Sequence, residues 1–345
     1  MARAPRKRTG RITMQEVATR AGVSLATASF AINGTGARKV SEETRHRVQA
    51  VAEELGYRPN AMAQNLSRAR SSFIGFITDS VATTPFAGEM IRGVQDAARE
   101  HGYVMLMANT ESDPRTFHDV ASMMLDHQVH GVVYSTWYHR QVSTPTGLSG
   151  IPVVLANCYT RGDRLQSFVP DEAGGGRAAT EILTAHGHRR IAFINSDLSA
   201  PATTGRLRGY RKALQAAGIP FDRNLVLTTT PEQEGGYTAG LRLLELDPRP
   251  TAVFCYNDRV AMGLYDALRT RGLSIPQDMA VVGFDNQEVI AAHLRPALTT
   301  VALPHYELGY RSLKWLLSEG APTTGEAPEP TRTLVPCPTV ERSST

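Results

Sequence analysis

The sequence predicts an N-terminal all-α helix-turn-helix headpiece followed by an α/β body of two doubly wound parallel-sheet lobes. Three observations carry that prediction. Residues 12–55 hold three short helical patterns, separated at Ala21-Gly22-Val23 and before Ser41. From Ser72 onward, β-rich apolar runs alternate with amphipathic helical patterns, the rhythm of parallel sheets covered by helices on both faces. The chain has 345 residues, enough for two or three domains, so two sheets suit it better than one.

The headpiece is justified element by element. Met14 to Arg20 is a short helix with Val17 and Ala18 on its apolar side, interrupted at Gly22. Ser24 is a good N-cap for a second helix reaching about Ile32. Two short helices joined by a Gly-containing turn have the geometry that lays the second helix in a DNA major groove. A third helix follows, with Ser41 as N-cap, Glu42 and Glu43 against its positive end, and Gly56 as its stop. Val48, Val51, Ala52 and Leu55 form its buried stripe, Arg45 and Arg47 lie near its start, and Val23, Ala28, Ala31 and Ile32 read as core.

The body continues with strands expected at 72–77, 103–107, 131–135, 151–157, 190–195, 225–229, 251–256 and 279–284. Helices are expected at 86–101, 113–127, 171–186, 204–217, 234–246, 258–270 and 304–319. Ligands of open α/β sheets sit beyond the carboxyl ends of strands, so residues that directly follow strands are the candidates.

Charge is divided unevenly. Residues 1–70 carry 13 Lys/Arg against 5 Asp/Glu, a net +8, and the remainder carries 24 against 28, a net −4. A basic head on a mildly acidic body suits phosphate attraction at one end. Residues 1–10 read equally as a solvated basic tail.

The order EVAxxAGVSxxTxS, then VSxxTRxRV, then LGYxPNxxAxxL, across residues 12–66, resembles the headpiece of the LacI/GalR (lactose repressor) family. The resemblance implies a ligand-responsive, sequence-specific transcriptional regulator. It would be a repressor of a near-palindromic operator in double-stranded DNA, acting as a homodimer in the cytoplasm at the nucleoid. It also implies that the two lobes are of periplasmic-binding-protein type, with a sugar or related metabolite in the cleft between them. The expected division is a headpiece at 1–57 with its basic arm at 1–11, and a hinge helix and linker at 58–71. Lobe 1 would span 72–170 with about 302–330, and lobe 2 would span 171–301 with about 331–345. Within this scheme the helix 304–319 returns to the first lobe and 331–340 to the second.

In the family arrangement Leu25 and Ala26 would meet base edges, with Phe30 one turn later. Leu25 and Ala26 cannot form bidentate hydrogen bonds; they can exclude water and touch a thymine methyl. Phe30 departs from the polar or basic side chain of many relatives, and packing on the third helix is its alternative. Thr13, Ser24, Thr27, Ser29 and Asn33 would hold phosphates, contacts that fix register without selecting sequence. The stretch from Arg58 to Leu66 resembles the hinge helix. Pro59 suits a first helical turn, and about eight residues is too short for a stable isolated helix. Asn60 and Ala63 would lie at the minor groove, Ala63 letting two copies approach closely, and Leu66 would be the wedge that kinks the duplex.

For the cleft, Arg206 aligns with the family's effector-binding arginine, whose fork grips a hydroxyl pair or a carboxylate. Asp285 and Asn257 each follow a strand, Phe86 offers an apolar wall, and Trp137 with Tyr138 offers stacking surfaces or rim packing. Some relatives carry an aromatic near 230–232, where this chain has Thr-Pro-Glu.

Other chemistry finds little support. Gly174-Gly175-Gly176 lacks the GK[ST] ending of a phosphate loop and reads as a helix start. His186-Gly187-His188 has no ligand-spaced Cys or carboxylate, so no metal is expected. No serine sits in a GxSxG elbow, and neither a catalytic role nor a cofactor is expected. Cys158, Cys255 and Cys337 form no disulfide framework. No apolar run approaches 18 residues and no apolar segment follows the basic start, so neither membrane span nor export is expected. The Pro- and Thr-rich tail from Gly320 has no heptads, which favours a dimer over a coiled-coil tetramer. The competing function is a solute-binding protein of a sugar uptake system, which would share the lobes and have no use for residues 12–66.

Overall fold

Thr13 and Glu16 cap each other in the computed structural model, which describes residues 12–33, 40–57, 72–80, 88–318 and 331–345, apart from the side chain of Asn33. The Thr13 hydroxyl accepts from the Glu16 amide at 3.3 Å, and the Thr13 amide donates to the Glu16 carboxylate at 2.8 Å. This reciprocal pair satisfies two otherwise orphaned donors and starts α1 (Met14–Ala21). Gly22 ends it in the left-handed region at φ 63°, and Ser24 then accepts from the Thr27 amide at 3.1 Å to open α2 (Leu25–Asn33). Ser41 caps α3 (Glu42–Glu54) by the same chemistry.

The three helices close over Val17, Ala18, Ala21, Ala28, Ala31, Val48 and Ala52, with Val23, Ile32, Val51 and Leu55 packed against them. Each fully buried valine contributes roughly 1.5–3 kcal/mol. The small alanines let the short helices approach closely. The chain divides into two units, Met1–Ser72 and Phe73–Thr345.

The second unit holds two six-stranded sheets. The first is built from β1 (Phe73–Thr78), β2 (Val104–Asn109), β3 (Val132–Val142), β4 (Val153–Thr160), β5 (Ser167–Pro170) and β11 (Arg332–Val335). Its order is β11-β5-β4-β3-β1-β2, parallel throughout. The second holds β6 (Ile191–Ser196), β7 (Val226–Thr229), β8 (Ala252–Cys255), β9 (Ala280–Asp285), β10 (Thr299–Ala302) and β12 (Thr339–Val340). Its order is β12-β10-β9-β8-β6-β7, with only the short β12 antiparallel. In both sheets the chain reverses its direction of winding beside the first strand, the switch point where such sheets open a crevice.

Helices α4 (Gly88–Glu100), α5 (Pro114–Asp126), α6 (Glu172–Ala185), α7 (Pro201–Ala216), α8 (Gln233–Leu244), α9 (Asp258–Thr270), the short α10 (Glu288–Ala291) and α11 (His305–Ser318) complete the unit. Apolar clusters fill both faces of each sheet. Leu308, Leu313 and Leu316 of α11 join the first sheet's core beside Met90 and Val94, so this helix does return to the first lobe.

The assignment of 331–340 to the second lobe is corrected. Arg332–Val335 pairs in parallel with β5 of the first sheet, and only Thr339–Val340 pairs with β10 of the second. The physical reason is the exposed edge of β5. Gln166 there accepts from the Thr331 amide at 2.9 Å, steering the returning chain along it before it crosses at Pro336 and Pro338. The basic arm, Asn60, Ala63, Leu66, Phe86 and the Asn33 side chain lie outside the described residues.

Candidate functional site

Between the carboxyl ends of the two sheets lies a cavity of about 320 Å³, inside the ~300–1,000 Å³ range of small-molecule pockets. Arg206 is its centre. Only 2% of this residue is exposed, yet its guanidinium is paired on every nitrogen. Nε donates to Glu172 Oε2 at 2.9 Å, Nη1 donates to the carbonyl of Tyr256, and Nη2 lies 3.5 Å from Asp285 Oδ1. The guanidinium also lies over the rings of Phe284 and Tyr256, 3.6 and 4.6 Å from their centroids.

Small residues create this meeting. Arg206 sits on α7 and Glu172 opens α6, and the two helices cross at Gly176, Gly205 and Gly209, where a Cβ would run into the facing helix. A Cβ at Gly205 would fall 2.6 Å from Cβ of Glu172, and one at Gly176 would meet the backbone of Arg206. The glycine run read as a helix start is therefore part of a close helix–helix contact that brings acid to base.

Burial opposes the charges here, and their neighbours decide the outcome. Burial works against the Arg206 cation, but Glu172 and Asp285 hold it protonated well above the usual arginine range. Glu172 is lowered: burial raises it, and the nearby Arg206 with His139 more than offsets that. Asp285 moves the other way. Burial raises its carboxyl to about 6, with Arg206 and the amide of Gln287 pulling back only in part.

Asp285 also stands in an uncommon backbone state, φ 100°, followed by Asn286 at φ 52°. Strain of this kind persists only where surroundings enforce it. Gln287 Nε2 donates to Asp285 Oδ2 at 3.0 Å, and Arg342 Nη2 donates to Asn286 Oδ1 at 2.8 Å. Behind them the fully buried Asp258 accepts from the Gln287 amide and the Thr300 hydroxyl, both at 2.6 Å. Burial, with the charge of Asp285 nearby, raises Asp258 well above the ordinary carboxylate range.

Asn257 lines the cavity with both ends of its amide already engaged. Its Oδ1 accepts from the Val260 amide at 2.8 Å as the N-cap of α9, and its Nδ2 donates to the Pro231 carbonyl at 2.9 Å. Where some relatives place an aromatic, Pro231 and Glu232 line the wall, and Glu232 grips Arg259 through both oxygens at 2.9 Å.

From the other lobe, β3 runs on past its expected end at Ser135 to Val142, with a register shift against β4 between Ser135 and Arg140. Such irregularities re-aim side chains. Here Trp137, Tyr138 and His139 line the cavity. The buried Asp79 fixes that segment, accepting from the Trp137 amide and from Arg140 Nη2, each at 2.9 Å. Trp137 and Tyr138 meet edge to face with 5.0 Å between centroids.

The structure thus brings Trp137, Arg206, Asn257 and Asp285 together. Glu172, His139, Tyr256 and Gln287 were missed. Glu172 carried a usable signal, since it lies two residues past the strand 167–170, but that four-residue strand ending in proline had itself escaped notice.

In the headpiece, Leu25 (48% exposed) and Ala26 stand out on the first turn of α2, while Phe30 is half-buried. Thr13 and Ser24 are exposed at helix N-termini, and Thr27 and Ser29 are half-buried. Among the described residues no His, Cys, Asp or Glu cluster could hold a metal, and no helix is long and apolar enough to cross a membrane.

Comparison with known proteins agrees with both units. Residues 13–60 match the model of bacterial regulatory proteins of the lacI family, and residues 180–345 match a periplasmic binding protein-like domain. The ribose operon repressor of Escherichia coli K12 is 35% identical, over 88% of this chain and 92% of its own length. The lac repressor dimer bound to operator and an anti-inducer superposes with TM-score 0.77 at 26% identity, covering 97% of this chain and 99% of that one. The regulator CelR in complex with cellobiose superposes with TM-score 0.66 at 30% identity, covering 97% and 100%. A reading-head at 13–60, joined to a two-lobed body and shared at this identity over nearly the whole length, leaves one assignment: the chain belongs to the LacI family of bacterial transcriptional regulators.

Proposed function

We propose that the protein is a ligand-responsive repressor that binds a near-palindromic operator as a homodimer and acts in the cytoplasm at the nucleoid. The observation that carries this reading is the coexistence of the 13–60 headpiece with a lobed body whose cleft holds a buried, fully paired arginine. In this reading Leu25, Ala26 and Phe30 meet bases, while Thr13, Ser24, Thr27, Ser29 and Asn33 hold phosphates. Asn60, Ala63 and Leu66 of the 58–71 segment engage the minor groove.

The cleft supplies the regulation. Trp137, Arg206, Asn257 and Asp285, joined by Phe86, surround a small molecule. Its preference for one lobe arrangement shifts the population able to pair two hinge segments across the operator. A differential affinity of roughly 1–3 kcal/mol between states suffices for a measurable response. The chain performs no catalysis in this reading.

A random-site selection followed by footprinting tests it. The expected result is a site with twofold symmetry, protected by a dimer, whose occupancy changes with a cleft ligand. Recovery of asymmetric sites alone, or of none, overturns it.

A further inference from the structure

Asp285 meets Arg206 from a turn that ordinary side chains disfavour. Two successive residues hold positive φ there, 100° at Asp285 and 52° at Asn286. The first of these lies outside even the small left-handed region open to residues with a Cβ. Such a turn needs outside support. One support is Asp258 at the start of α9, which accepts from the Gln287 amide at 2.6 Å. Another is Leu303, whose amide donates to the Asp285 carbonyl at 3.3 Å.

The third comes from 56 residues further along the chain. Arg342 follows β12, and its side chain is 15% exposed. Its amide donates to the Thr299 hydroxyl at 2.9 Å, Nη1 donates to the Leu298 carbonyl at 2.8 Å, and Nη2 donates to Asn286 Oδ1 at 2.8 Å. Glu288 Oε2 lies 3.5 Å from Nη2 and that side chain is mostly exposed, so this ion pair adds little. The guanidinium acts here through its planar fork, which ties the Asn286 side chain to the backbone at the head of β10. The segment that presents it is itself anchored. The Ser343 amide donates to the Ala297 carbonyl at 3.0 Å, and the buried Ser344 hydroxyl accepts from the Thr299 amide at 2.8 Å and donates to the Val281 carbonyl at 2.6 Å. Residues 342–344 thus form a strap across the starts of β9 and β10, from which Arg342 reaches the far end of β9.

We propose that Arg342 is a positioning residue for the cleft: by holding Asn286 it fixes the turn that aims the Asp285 carboxylate at Arg206. Neither Arg342 nor Asn286 is among the described residues that line the cavity shared by Arg206 and Asp285. The proposal rests on that cavity being the effector site, and it adds how the acid of the site is kept in place.

The test needs neither ligand nor DNA. NMR of the full-length protein with isotope-labelled aspartate follows the Asp285 carboxyl against pH, assigned through Asp285→Asn, and hydrogen exchange follows the Gln287 amide. The charged groups facing that carboxyl, besides the strap, are Arg206 on α7, Glu172 on α6, and Asp258 and Arg259 on α9. All of them are retained in every variant. Burial holds the carboxyl at about 6. Arg342→Ala is expected to loosen the turn, admit water and bring the midpoint down by about one pH unit, toward the ordinary aspartate value. A role as a distant cation alone would move it up, because a positive charge is lost. Asn286→Gly suits the positive φ and keeps the arginine, and it is expected to lower the midpoint likewise. Each variant should speed Gln287 exchange by at least about tenfold, whereas Asn286→Asp, which retains an acceptor for Nη2, should hold it within about threefold. The double variant Arg342→Ala with Asn286→Gly should go no further than either single one. A midpoint that stays or rises in Arg342→Ala, or unaltered exchange in Asn286→Gly, overturns the proposal. Should Arg342→Ala fail to fold, the two Asn286 variants still decide. A failed operator selection leaves these outcomes untouched, and their failure leaves the repressor reading standing.

Discussion

Arg206 Nε and Glu172 Oε2 lie 2.9 Å apart with both side chains almost wholly buried, so neither charge has water to fall back on. Glu172→Ala leaves Arg206 with Asp285 at 3.5 Å and the Tyr256 carbonyl, so the body is expected to lose roughly 1–3 kcal/mol, less than the ~3–5 kcal/mol of a wholly orphaned buried charge. Urea unfolding with the headpiece deleted would read it; a loss below about 1 kcal/mol would mean that the pair is not closed in solution.

Arg206→Lys keeps the cation and loses the planar fork. Ligand affinity is expected to fall by at least about tenfold, a loss of ~1.4 kcal/mol. Operator affinity without ligand should stay within a few-fold, because Arg206 belongs to the body and the proposed readers to the headpiece. Anisotropy with and without ligand checks both halves.

Asp285 gives a pH signature. Its folded carboxyl is raised to about 6, chiefly by burial, whereas an unfolded aspartate titrates near ~3.9. Between those values the folded protein binds more protons than the unfolded one, so this group's contribution is complete below about pH 4 and is lost as pH rises through 6. Glu172, lowered by Arg206, has the opposite sign and contributes above its unfolded value. Asp285→Asn mimics the protonated form. Wild type minus variant stability is expected to decline by up to about 2–3 kcal/mol from pH 4 to pH 7. A difference that stays flat or rises would refute the assignment.

Leu25 and Thr13 should separate sequence choice from general attraction. Leu25→Ala is expected to reduce discrimination at one base step by roughly tenfold, with the salt slope unchanged. Thr13→Ala removes the acceptor of the Glu16 amide, costs the headpiece about 1 kcal/mol, and weakens all DNA sequences alike. Binding isotherms on an operator and a scrambled duplex at several salt concentrations distinguish them.

Leu66→Ala is expected to lower operator affinity by at least about tenfold while affinity for random duplex and the melting point of the body hold. An unchanged operator affinity would remove the wedge from the mechanism.

Much of the headpiece could be read directly, because its determinants are local. A capping pair three residues apart, a glycine at positive φ and an alanine stripe act within one turn or its neighbour. Ser24, Ser41, Val48 and Ala52 accordingly stand as the residue pattern requires. The alternation of the body was legible for the same reason, down to helix bounds within a few residues. The strands 167–170 and 299–302 were not: SFVP ends in proline and TTVA opens on two threonines, so neither shows the apolar run that marked the equally short 252–255.

What the chain determined by itself was the class of fold, the position of the second headpiece helix, and Asp285 and Asn257 at strand ends, with Arg206 placed beside them by the family resemblance. Tertiary structure alone decided that Glu172 meets Arg206, that β3 carries His139 into the wall, and that residues 332–335 rejoin the first sheet. Those outcomes depend on where separate elements cross: the Glu172–Arg206 contact spans 34 residues, and three glycines permit it only once their helices are laid together. Local sequence encodes what each segment becomes, whereas charge pairing in a buried cleft follows from which segments meet.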